Sequence, residues 1–200
     1  MYIQQAAWTV MLLALIGLVA PVAVAQSSGQ SLRSVQTPQI APEIVEVNRQ
    51  YRRGELAAAT AGIDAFLTKD YANPRARFLR GLILTEQRKT DEAIEAFLAI
   101  TREFPELPEP YNNLAVLYAG RGLYDQAHES LVAALRANPD DPVAQENLGD
   151  VYVRLAIKAY EQIKPVNPST RNIKDKLTLL RELSASADRA KSNGVSTTPH

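Results

Sequence analysis

The sequence predicts an all-α chain of stacked helical hairpins, and three observations carry that expectation. Apolar residues recur at helical spacing, and no alternating strand pattern runs long enough to compete. Small residues recur 34 positions apart: Gly81 with Ala115, and Ala59 with Ala93 and Ala127. A fixed period of that length marks a repeated pair of helices. Within one period, small residues stand twelve apart on either side of a short break, as Ala115 and Ala127 do around Gly120-Arg121-Gly122. Two helices that cross closely need small side chains at the crossing, one from each helix.

The elements follow in order. Residues 1–25 read as a signal peptide: the apolar run Thr9–Ala20 is short for a membrane span, and Ala23-Val24-Ala25 has the small-x-small cleavage pattern. An uncleaved N-terminal membrane anchor is the alternative. The n-region holds no Lys or Arg, which departs from the usual pattern. Residues 26–41, rich in Ser and Gln, read as a flexible linker. The helical domain is expected over 42–190, in units of about 40–73, 74–107, 108–141 and an atypical 142–168. Asn73-Pro74 and Asp141-Pro142 pair a side-chain cap with Pro at the first helical position. Thr90 precedes Asp91-Glu92, which places acids in a first turn. Pro105 and Pro139 stop second helices.

The fourth unit departs from the period. Gly149 and Ala156 are seven apart rather than twelve, so the turn is missing. Leu148, Tyr152, Leu155, Ala159 and Ile163 form one unbroken stripe, which predicts a single helix over about Pro142–Lys164. A last helix is expected over about 170–190, with Ile173, Leu177, Leu180 and Ala187 on the face that caps the stack. Residues 191–200 read as a disordered tail.

The third unit carries a specific resemblance. Tyr111, Leu114, Ala115, Tyr118, Gly122, Tyr124, Ala127, Leu131, Ala134 and Pro139 fall on the signature positions of the tetratricopeptide repeat family. The second unit keeps Gly81, Leu84, Ala93, Phe97 and Pro105 but has Arg77 and Arg80 where the family is apolar; the first keeps little beyond Gly54 and Ala59. The resemblance spans residues 40–168. It implies a right-handed superhelical solenoid of about three repeats, followed by the long fourth-unit helix and the capping helix. It also implies a binding scaffold.

Composition excludes several functions. Net charge is zero, so no global basic field gathers nucleic acid. Cysteine is absent, which removes disulfides and thiolate metal sites. The two histidines, His128 and His200, are far apart, and no metal site or cofactor is expected. Acidic pairs such as Asp140-Asp141 sit at helix starts as caps, and no nucleophile–base arrangement or phosphate loop is present, so the chain is not read as an enzyme. Export without disulfides, together with the unusable acceptor Asn167-Pro168-Ser169, leans toward a bacterial periplasm.

By the family register, first helices line a concave groove. The expected partner-binding residues are Asn48, Tyr51, Arg75, Phe78, Leu82, Asn112, Val116, Glu146 and Asp150. Their mix of apolar, aromatic and amide groups suits an extended peptide. The set that grips a C-terminal carboxylate in chaperone-tail binders of the family is missing, because Ile44 and Glu109 stand where lysines are needed. The expected partner is therefore a protein or peptide, with no integral span after signal cleavage, and the function a scaffold or assembly factor of the cell envelope. The alternative is an oligomerisation module that self-associates through the long helix. The last helix is basic and the third and fourth units acidic; the charges are read first as an ordinary solvated helix face, with docking of the two as the alternative.

Overall fold

The structure, a computed structural model, describes residues 41–163 and 171–194. The signal peptide, most of the linker and residues 195–200 lie outside that range. Eight helices and no strand occur among the described residues. They are α1 (Pro42–Arg52), α2 (Leu56–Leu67), α3 (Pro74–Glu86), α4 (Thr90–Glu103), α5 (Pro108–Gly120), α6 (Tyr124–Ala137), α7 (Pro142–Glu161) and α8 (Arg171–Gly194).

Local signals set the helix ends. Pro42, Pro74, Pro108 and Pro142 each open a first helix. The Asn73 side chain accepts from the Ala76 N–H at 3.1 Å. Asp141 accepts from the N–H groups of Val143 and Ala144 at 2.9 and 3.2 Å. Each of these bonds satisfies a backbone donor that the first turn leaves open. The turns inside the three hairpins share one left-handed residue: Gly54 (φ 73°), Arg88 (φ 59°) and Gly122 (φ 73°), spaced by the repeat period. Glycine reaches that region at no steric cost, whereas Arg88 has a Cβ to accommodate.

Pairs α1–α2, α3–α4 and α5–α6 form hairpins, and each hairpin packs on the next. The crossings are as close as the small residues demand. A Cβ at Gly81 would lie 2.6 Å from the Phe97 ring. Ala59, Ala93 and Ala127 are fully buried. Large side chains fill the junctions in three clusters, centred on Ile63 and Ile83, on Phe97 and Ile100, and on Leu131 and Val151.

Arg77 and Arg80, which break the apolar pattern of the second unit, are matched by ion pairs between helices. Arg77 donates to both Glu103 oxygens at 2.6 and 2.8 Å. Arg80 donates to Asp64 at 2.9 Å.

The fourth unit has no hairpin. As the missing turn predicts, α7 runs unbroken through 20 residues. The last helix extends beyond its expected end at Ala190, to Gly194, into the stretch read as a tail. It packs on α7 through both charge and apolar contact. Arg181 pairs with Glu161 at 2.7 Å, Arg154 of α7 pairs with Asp188, and Lys176 stands 5.5 Å from the Tyr160 ring centre. The docking of basic on acidic helices thus includes one pair of the reverse sense.

Candidate functional site

The groove positions fall on α1, α3, α5 and α7 as the register requires, but in three different situations. Ile44, an exposed groove position by the family register, is instead buried in the first core cluster. Tyr51, Phe78 and Leu82 are half-buried and pack against the cores. Phe78 meets Phe97 with ring centres 5.6 Å apart, a tilted aromatic pair. The Tyr51 hydroxyl has its pKa raised, first by burial and then by the nearby Glu86 carboxylate. These three side chains join one hairpin to the next and offer only part of their surface to the groove. Arg75 and Glu146 are exposed, and Asn48 is half-buried.

The remaining three positions come together. Val116, at 52% exposure, and Asp150 line one cavity of about 400 Å³ between α5 and α7. Asn112 stands in the same interhelix seam, where its side-chain oxygen accepts from the Asn147 amide at 2.8 Å. The buried floor of the cavity is apolar, made by Ala115, Leu131 and Val151, and the half-buried Ala119 and exposed Val116 also line it. Its rim is polar, with Asn147, Asp150 and Arg154 from α7 and Asp188 from α8.

Electrostatics at the rim are balanced rather than reactive. The Asp188 carboxylate accepts from Arg154 and raises the guanidinium pKa; burial opposes the shift, and Tyr124 and Asp150 add to it. Arginine held in this way is a fixed cation and no proton donor at neutral pH. Among the described residues, no three His, Asp or Glu side chains gather to hold a metal ion. An apolar floor with amide and charged groups at its edge suits recognition of a short apolar stretch of chain.

Asn147, Arg154 and Asp188 were not among the expected positions. Asn147 follows Asn112 by 35 residues, one more than the period, so the strict register points to Glu146 in its place. Arg154 is the register equivalent of Gly120, which also lines the cavity. Asp188 reaches the site through the packing of α8, for which the repeat pattern holds no signal.

Two family models, each described as tetratricopeptide repeat, match the sequence over residues 44–108 and 84–151. No curated protein matches the chain. Among solved structures, the Yersinia enterocolitica type III secretion chaperone SycD in complex with a peptide of the translocator YopD is 20% identical. It superposes with a TM-score of 0.51 over 60% of this chain and 92% of that one. SycD in an alternative dimer gives the same values. Naa15/Naa10 bound to HypK-THB is 17% identical, with a TM-score of 0.50 over 79% of this chain and 25% of that one. At these identities the likeness is one of fold, a stack of helical hairpins. No described helix is long and apolar enough to cross a membrane.

Proposed function

From the premise that the chain belongs to the tetratricopeptide repeat family, matched over residues 44–151, we propose a non-catalytic scaffold of the bacterial cell envelope that holds an extended segment of a partner protein. The observation that carries the reading is the α5–α7 cavity, with an apolar floor exposed at Val116 and the Asn112–Asn147 amide pair beside it. Apolar partner side chains enter the cavity of about 400 Å³, while the rim groups bond the backbone around them. The SycD structure, a chaperone with a translocator peptide, supports a peptide-holding role for a fold of this kind. The apolar run Thr9–Ala20 followed by Ala23-Val24-Ala25 supports export, with the mature chain starting near Gln26.

Two measurements test the proposal. Capture from an envelope extract is compared between the parent chain and Val116→Glu. Val116 is exposed, so the variant keeps its helicity and melting while losing the partner; equal capture refutes the groove. The intact mass of the exported protein shows loss of residues 1–25, and a full-length species in the membrane fraction refutes cleavage.

A further inference from the structure

In the hairpins, one position on the first helix is covered at short range by the second helix. Gly81 lies against Phe97, and Ala115 is buried in one cluster with Ala127 and Leu131. The fourth-unit equivalent is Gly149, 34 residues after Ala115, and among the described residues a Cβ built there meets nothing within 4 Å. Gly149 belongs to a seam on α7 and just beyond it: Gln145, Gly149, Tyr152, Ala156, Ala159 and Ile163. The spacing alternates between four and three residues, the pattern by which one helix lies along another. Tyr152 is 52% and Ile163 42% exposed. Leu148 and Leu155 belong to a different face and pack on the third cluster. The α8 residues Leu183, Ser184 and Ala187 lie over Asp150, Val153 and Arg154, and Arg181 and Lys176 reach Glu161 and Tyr160, all positions of α7 outside the seam.

We infer that this seam is a self-association face, on which two copies of the chain pair through antiparallel α7 helices. Each then supplies the covering helix that the other's fourth unit lacks. The occupant is identified by the order of residues along the seam. An isologous interface must be complementary to itself. Run antiparallel about an axis at residue 154, the seam sets Tyr152 opposite Ala156, Gly149 opposite Ala159 and Gln145 opposite Ile163, all in one register. The tyrosine faces a small residue, and Gly149 with Ala159 allows the backbones to approach. No charge lies on the seam, so pairing buries no unmatched ion. Tyr152 is already held in place, its hydroxyl 3.3 Å from Nε2 of His128.

Light scattering and crosslinking on the full chain test this. The sequence has no cysteine, so single substitutions report cleanly. The expected mass is twice 22.0 kDa for the parent, returning to one chain in Ala156→Glu with helical circular dichroism unchanged. Mixing Tyr152→Cys with Ala156→Cys under mild oxidation yields the mixed disulfide in excess over either homodimer. A parent mass of one chain overturns the inference, as does a dimer that survives Ala156→Glu. Should Ala156→Glu lose helicity, the mixed disulfide decides: its absence overturns the pairing.

Discussion

Gly81 and Ala127 show what a single residue contributes to this stack. Both sit where two helices cross, and neither position has room for more atoms. Ala127→Leu forces neighbours out of their packing, and overpacking of this kind typically costs about 1–3 kcal/mol. Urea unfolding followed by circular dichroism measures the loss; an unchanged midpoint places the crossing elsewhere. The Arg77–Glu103 pair makes a second prediction at the same scale. Arg77 lowers the Glu103 pKa by donating hydrogen bonds to its carboxylate, while burial opposes the shift. A carboxylate whose folded pKa lies below its unfolded value stabilises the fold above the unfolded pKa. That stabilisation fades as pH falls through the folded value. Glu103→Gln therefore lowers the melting temperature near neutral pH, and its difference from the parent shrinks as pH drops below the ordinary value of 4.5. Glu103 is exposed, so the effect is small and weakens with salt.

Among the elements, the hairpin turn is the part that the repeats share most closely. Gly54, Arg88 and Gly122 occupy the same left-handed place, one per hairpin. A non-glycine residue there costs roughly 1–2 kcal/mol relative to a right-handed conformation. Arg88→Gly removes that cost but adds some chain entropy to the unfolded state. The net expectation is a stabilisation of about 0.5–1 kcal/mol, read as a higher urea midpoint. Gly122→Ala should move the midpoint the other way. If both variants match the parent, left-handed strain plays no part in these turns.

For the whole molecule, stacking makes cohesion a matter of neighbours. Each hairpin packs on the next, and α8 packs on α7. Stability in such an array is close to a sum of units and interfaces. A chain ending at Gln162 should therefore keep the helicity and cooperative unfolding of α1–α6, with a melting temperature lower by a few degrees, on the order of the loss of one interface. The same truncation removes Asp188 from the rim of the α5–α7 cavity and opens it. Collapse of all helicity on truncation would show that α8 holds the whole stack rather than its end.

The hairpins, their period and most of their ends follow from the chain alone. Those depend on neighbours in the chain: a Pro at a first helical position, an Asn or Asp cap beside it, a small residue one period after the last. The missing turn between Gly149 and Ala156 foretold the unbroken α7 for the same reason. How much surface the groove positions leave free depends instead on packing between helices. Tyr51, Phe78 and Leu82 occupy groove register positions, yet their surface is divided between the cores and the groove, because interhelix distance and side-chain length settle which contacts form. The site also depends on α8, which brings Asp188 to Arg154 from 34 residues away. Residues outside the repeat have no period to place them, and their docking follows from whichever face of α7 offers the better match of charge and shape. The same choice leaves Gly149 with no described residue within 4 Å of where its Cβ would stand.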